Sequence, residues 1–386
     1  MSEKEEIRLN RLPAITWYWL NMNESEITSE PCDGEAEVSV SVPGGVTESR
    51  VCLYTDKGDQ DPGAQPKDQD GQDSGTQPTD QDIQDLSAQP TGAGAAFSKL
   101  FEAAGTEARF YTVPAGLKAD KPLKLQFAFA DGKNSLDQVA LDVQKNAELT
   151  LVMDYASDEA ASGAAAVQTK FRLGENAVLR IVQITHVGSD FSFVNDMGGK
   201  TGDNAKVEVI QLNLEGQKVY QGYQIDLAGY KSSLKTDIAY RLKGTENLDM
   251  NYFANHTGRK TTCDINVSGV LRDTSSKILR ATIDLKKGAK GAVGNEKEDV
   301  LLMDEGVRNR TIPLILCTEE DVEGNHGATI GRLDESLMFY LASRGLNREE
   351  IYEMMAAARM EAVAAKIPDE ETRAAAEKYI GTVAED

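Results

Sequence analysis

The phrase Asn-Ala followed by alternating apolar residues occurs three times, as NAELTLVMDY from Asn146, NAVLRIVQIT from Asn176 and NAKVEVIQLNL from Asn204. The steps are about 28 to 30 residues. A period in this range, with one small residue at a fixed place, suits stacked coils of a β-solenoid, in which each coil covers the apolar surface of its neighbours. The small residue then sits where the chain turns and coils stack closely. Continuing the step reaches Ser233, Thr261 and Ala289, each small and in a strand-like context. From about Ala108 to Leu316 short β-rich runs recur, with no helix of clear period. A β-sandwich also gives many short strands with regular turns, so the pattern leaves both architectures open, with the solenoid preferred.

The flanks read differently. Residues 7–23 hold both tryptophans, Trp17 and Trp19, and read as a segment packing on the protein's own core. Alternation through Val38, Val40 and Val42, then Val51 and Leu53, around Pro43-Gly44-Gly45 predicts a β-hairpin over 35–54. Residues 56–94 are an acidic near-repeat (KDQDGQDSGTQP, then TDQDIQDLSAQP) with little apolar surface, the composition of a solvated, disordered insertion. Past Asp334 the chain reads as helical. Asp334 caps a helix whose Leu337, Tyr340 and Leu341 share a face, and Gly345 stops it. Asn347 and Glu350 form a capping box for a second helix with an Ile351, Met354, Met355, Ala358 stripe. A third begins at Asp369. The expected organisation is thus an N-terminal segment (1–55), the insertion (56–94), a β core (95–316) and a C-terminal helical domain (317–386).

Charge and motif content narrow the function. The 386 residues carry 41 Lys+Arg against 63 Asp+Glu, a formal charge of −22. That disfavours nucleic acid and anionic membrane as partners, since both need cations to neutralise them. The N-terminus has neither a basic n-region nor an apolar h-region, which makes cytoplasm the expected compartment. Cys32, Cys52, Cys263 and Cys317 are scattered without a C-x-x-C pair, against a disulfide framework or a zinc module. There is no P-loop, no G-x-S-x-G and no H-E-x-x-H, so no enzyme chemistry announces itself.

Candidate metal chemistry rests on two residues. His326, in a predicted His-Gly-Ala-Thr loop, follows Cys317 by nine positions, and a thiolate with an imidazole from adjacent strands suits iron or an iron-sulfur species. Two ligands are too few for a closed site, so a second chain would complete it. The competing interpretation is a hydrogen-bonded His326 and a buried, inert Cys317. His256, seven residues before Cys263, is a secondary candidate that reads as a hydrogen-bonding loop residue.

From about Asn251 to Ile367 the chain resembles the C-terminal half of the SufB/SufD proteins of iron-sulfur cluster assembly. The carriers are His256 before Val-Ser-Gly-Val-Leu (267–271), Ile-Asp-Leu (283–285), Leu301-Leu302, Thr311-Ile312-Pro313-Leu314, and Asp321-Val322 before His-Gly-Ala-Thr. Leu333-Asp334-Glu335, Phe339-Tyr340 and Ser343-Arg344-Gly345 complete the series. The resemblance implies a mainly β fold, a right-handed parallel β-helix with a C-terminal helical region and a short N-terminal segment. It implies a non-catalytic scaffold that pairs with a SufB-like subunit, or with a second copy of itself, and docks a SufC-type ABC ATPase through Asp334, Leu337, Phe339, Tyr340 and Arg344. Clusters or iron would be held transiently at the subunit junction, with a flavin expected only as a component of the complex and no permanently bound cofactor. Gly327 gives the SufD form of the His-Gly-Ala-Thr phrase, and His326 matches the junction histidine. The SufB cluster-linked cysteine falls on Glu298, whose carboxylate offers oxygen in place of sulfur. Against this stand a β-helix enzyme acting on polysaccharide and a structural interaction protein without a metal role.

Overall fold

The computed structural model describes residues 5–14, 20–29, 31–54 and 78–383. Two nine-stranded sheets form its body. A two-stranded ribbon, β1 (Glu5–Leu9) with β2 (Ser25–Ser29), comes first in the chain. Sheet I runs β4 (Thr47–Cys52), β5 (Glu107–Val113), β7 (Lys133–Val143), β9 (Ser162–Leu173), β11 (Asp190–Thr201), β13 (Lys218–Leu227), β15 (Asn247–His256), β17 (Ser276–Leu285), β19 (Arg308–Cys317). Sheet II runs β3 (Glu37–Ser41), β6 (Leu123–Phe129), β8 (Glu148–Ser157), β10 (Val178–His186), β12 (Lys206–Glu215), β14 (Ser233–Leu242), β16 (Thr262–Leu271), β18 (Ala292–Leu302), β20 (Val322–Gly331). From β5 onward successive strands alternate between sheets and every pairing among them is parallel. That connectivity is a solenoid, and it rules out a sandwich built from antiparallel neighbours.

The repeat phrase sits at one corner of the coil. Asn146, Asn176, Asn204, Lys231 and Lys260 all have φ between 54° and 59°. Asn tolerates this left-handed region best among residues with a side chain. The N–H of Asn146 donates to the Glu175 carbonyl (2.8 Å), and that of Asn176 to the Asp203 carbonyl (2.8 Å), tying coil to coil. The next residue is always small and fully buried: Ala147, Ala177, Ala205, Ser232 and Thr261, with Ala292 after Gly291 (φ 73°) in the coil beyond. The predicted step is therefore one residue late at Ser233, where Ser232 takes the place, correct at Thr261, and three residues early at Ala289, where register puts Ala292. Inward side chains such as Leu151, Ile181, Val209, Ile238, Val267 and Ile283 fill the lumen, each worth about 1.5–3 kcal/mol of apolar burial.

Both outer faces are partly covered. On sheet I lie the β1–β2 ribbon, α1 (Asp80–Ser87) and α2 (Ala95–Ala104). Leu12 and Met22 bury against Ile278 and Ile312, as expected for a segment packing on its own core; Trp17 and Trp19 lie outside the described residues. Arg280 clamps this segment, with Nε donating to the Met22 carbonyl at 2.8 Å and a buried ion pair to Asp249 at 2.6 Å. On sheet II, α4 (Arg348–Ala364) and α5 (Glu370–Val383) press Met360, Val363, Ile367, Ala376 and Ile380 onto Val182, Ile210 and Leu212.

Five expectations are corrected. Residues 35–54 are not a hairpin: β3 pairs with β6 and β4 with β5, both antiparallel, so the turn at Pro43 crosses between sheets. Part of the 56–94 tract is ordered, because Thr79 and Asp82 make a capping box and Leu86 is buried, which anchors α1; residues 55–77 lie outside the described residues. The β core of 95–316 opens with a helix, α2, whose Phe97 and Phe101 share its buried face. The coil does not end at 316: the His-Gly-Ala-Thr phrase is a strand, β20, not a loop. In the second helix Ile351 is buried and Met355 half-buried, yet Met354 and Ala358 face solvent, while Tyr352, Ala356 and Met360 are buried. The helices α4 and α5 lie along the outer face of sheet II.

Candidate functional site

At one end of the solenoid β3 and β4 close the sheets by antiparallel pairing. At the other end β19 and β20 are the outermost strands, each paired on one side only. All of β20 from Glu323 to Gly331 is exposed, and Ile312 is the only fully buried residue of β19. Such edges present unpaired N–H and C=O groups ready to accept another strand.

The side chains at this open end follow from register. A Cβ on Gly294 would point at Cys263 and Ile283, and one on Gly324 at Ile315 and Leu285, so the even-numbered residues of β18 and β20 face the lumen. Glu296, Glu298 and His326 therefore line the mouth of the coil. Lys277 and Glu298 form an ion pair with both side chains fully buried. Thr311 joins it, its hydroxyl donating to Glu298 (2.7 Å) and accepting from Lys277 (3.0 Å). Burial holds the Lys277 ammonium pKa down against the pull of Glu298. Glu298 is thus committed to a cation, and the expectation that it offers a free oxygen ligand is corrected.

Glu296 is different. It pairs in register with His326 on the neighbouring strand, and adjacent strands lie about 4.8 Å apart. Its Oε1 is buried without a hydrogen-bond partner among the described residues. Desolvation, then the nearby Glu298 charge, pushes its carboxyl up to about 7.

His326 and Cys317 share the last coil but do not meet. Ile315 lies across the lumen from Gly324, which puts His326 opposite Pro313 and leaves Cys317 beside the start of β20. The Cys317 thiol is exposed, not buried, and donates to the Glu319 carbonyl at 3.0 Å. His256 ends a strand and is fully buried, bonded to the Thr261 hydroxyl (2.7 Å) and the Cys263 sulfur (3.1 Å). Burial lowers this imidazole to about 4 and raises the Cys263 thiol to about 12. Both are neutral near pH 7, a structural pair and not a thiolate site. Among the described residues no group of three His, Cys, Asp or Glu is placed to hold a metal ion.

Beside the open end, α3 (Glu335–Ser343) follows β20. Asp334 caps it by accepting from the Ser336 hydroxyl and the Ser336 N–H, which together keep its carboxyl below the usual range. Met338 and half-buried Leu341 pack toward Leu301 and Tyr352, so Leu341 does not share an outer face with Leu337 and Tyr340. Phe339 is 77% exposed, Tyr340 52% and Leu337 38%, an apolar patch. The Arg344 guanidinium stacks 5.1 Å from the Tyr340 ring. The sequence reading missed Lys277, Glu296 and Thr311. Their signal was present: polar residues at strand positions whose parity points inward.

Comparison with known proteins agrees with this architecture. The family model described as SUF system FeS cluster assembly, SufBD core domain, matches residues 127–359. The iron-sulfur cluster assembly protein SufD of Bacillus subtilis is 25% identical over 246 residues, 62% of this chain and 56% of that protein. A SufBD family protein of Mycobacterium tuberculosis is 33% identical over 185 residues, 48% of this chain and 19% of that protein. SufB of Bacillus subtilis is 22% identical over 281 residues, 71% of this chain and 59% of that protein. The chain thus spans less than two thirds of each of these relatives.

Proposed function

Because the chain belongs to the SufB/SufD family of the SUF iron-sulfur system, as a SufD-like member, we propose that it is a non-catalytic scaffold subunit. It pairs through its open coil with a SufB-like subunit, or with a second copy of itself, and docks an ABC-type ATPase on α3. The observation that carries this reading is the asymmetry of the ends, since the uncovered edges of β19 and β20 adjoin the exposed apolar patch of α3. Pairing of edges would turn two solenoids into one longer rod.

Iron and sulfide are cargo at that junction. His326 is the residue this chain contributes, since it is exposed on the edge strand and has no hydrogen bond among the described residues. Exposed Cys317 stands beside the start of β20 in the same coil and is reached only if the partner spans the gap between them. Nucleotide-driven closure of two docked ATPases would pull on both copies of α3 and alter the junction, coupling the sites through contacts that differ between two states.

The test is a pull-down from the native cell with this chain as bait, read for an ATPase and a second scaffold subunit. Co-elution of both is expected. Elution alone, or with neither class, contradicts the proposal. His326→Ala is expected to keep both partners and lose cluster formation on reconstitution; unchanged reconstitution removes His326 from the site.

A further inference from the structure

A second feature, independent of the open end, lies on the outer face of sheet II. A cleft of about 500 Å³ separates the flank of α4 from β14, β16 and β18. Four cations line it, Lys235, Lys297, Arg359 and Lys366, against two carboxylates, Asp237 and Asp299. In a chain of net charge −22, a local excess of cations is a departure that concentrates anions from solution.

Lys366 and Lys235 share Asp237, at 2.6 and 3.7 Å, which leaves Lys297 and Arg359 as the less engaged donors. Lys297 has no ion-pair or hydrogen-bond partner among the described residues, and neither has the Ser268 hydroxyl one strand away. The Arg359 guanidinium reaches Asp299 at 3.3 Å and the Met355 carbonyl at 3.5 Å, both long, and its Nε is buried with no acceptor. A buried donor left without an acceptor carries an uncompensated desolvation penalty, which an oxyanion seated against it would offset. Asp237 does not fill this role, being already engaged by Lys366 at 2.6 Å and Asn266 at 3.3 Å.

The shape selects the ligand. Ala358 and Ala362, one turn apart and exposed, line the α4 side and leave room against the sheet. Arg359 lies near the C-terminal end of α4 and Lys366 two residues past it, with Lys297 facing them from β18. Donors so spread suit two linked oxyanion groups better than one. We propose that this cleft binds a diphosphate-class polyanion, supplied either as free pyrophosphate or as the diphosphate of a nucleotide.

The experiment is calorimetric titration of the full chain with inorganic pyrophosphate and, separately, with ADP, without Mg²⁺ and at low salt. Saturable one-to-one binding is expected, weakened about tenfold or more by Lys297→Gln, the loss of one charge-assisted contact. Arg359→Gln should weaken it at least as much, and Lys118→Gln, outside the cleft, should leave it unchanged. Equal affinity for both ligands identifies the diphosphate as the recognised group, and tighter ADP binding identifies a nucleotide source. Absence of saturable binding by either at millimolar concentration, or binding that Lys297→Gln does not alter, overturns the proposal. Lys297 is an exposed side chain, so its variant stays folded whatever happens at Arg359.

Discussion

The two ends of the solenoid obey the same stacking rule and finish differently. At the first end, β3 and β4 run antiparallel to β6 and β5 and stop the coil. At the last, β19 and β20 keep the parallel register with nothing beyond them. A β-rod left with a bare end risks uncontrolled association, so an open end kept at one extremity only is best understood as an interface. The lumen carries the same contrast. Around the middle, Val, Leu and Ile surround a neutral hydrogen-bonded network of Gln183, Asn195, Gln211, Gln221 and Tyr252, whereas the last two coils carry charge inward, on Lys277, Glu298 and Glu296.

The comparison breaks most visibly at that buried pair. Lys277→Ala leaves the Glu298 carboxylate buried without its cation, and a loss of about 3–5 kcal/mol is expected, measured by urea unfolding at pH 7. A loss below 1 kcal/mol would mean that water reaches the pair. At the stacking corner, Ala177→Leu overfills a site that every coil keeps small, and about 1–3 kcal/mol should be lost. An unchanged midpoint would show that the corner is looser than its burial indicates.

Smaller effects separate stability from assembly. Ile330→Lys places a charge on the exposed edge strand, where a change within about 0.5 kcal/mol is expected, yet it should abolish pairing in light scattering with a SufB-like subunit. Phe339→Ala on α3 should likewise leave unfolding unaltered and weaken ATPase capture.

Glu296 supplies a pH test. Its carboxyl is raised to about 7 in the folded chain from an ordinary value of 4.5. Between those values the native state holds the proton more tightly than the unfolded chain, so stability falls as pH rises through that window and the penalty is complete above it. Glu296→Gln should therefore gain on the wild type as pH goes from 5 to 8. A pH-independent difference would show that Glu296 is solvated.

Much of the coil was legible because the corner has a chemical signature, an Asn that tolerates positive φ followed by a small residue. The same signature lapses where Lys231 and Lys260 replace Asn, and there the step slipped by one at Ser233. The Pro43-Gly44-Gly45 turn misled because a chain reversal between sheets and one within a sheet use the same residues. At the site, exposure of His326 depends on its coil being last, and chain-end topology has no local sequence mark. Cys317 and His326 are close in sequence and face the same lumen, yet register separates them: Ile315 opposite Gly324 puts Cys317 at the start of β20 and His326 further along it.

Hydrogen-deuterium exchange of β19 and β20, alone and with a SufB-like subunit, tests the open-end account most directly. Fast exchange is expected at edge amides of 308–317 and 322–331 in the free chain and strong protection there in the complex, with β3 and β4 unchanged. Protection confined to β3 and β4, or to the outer face of α4 and α5, would contradict it.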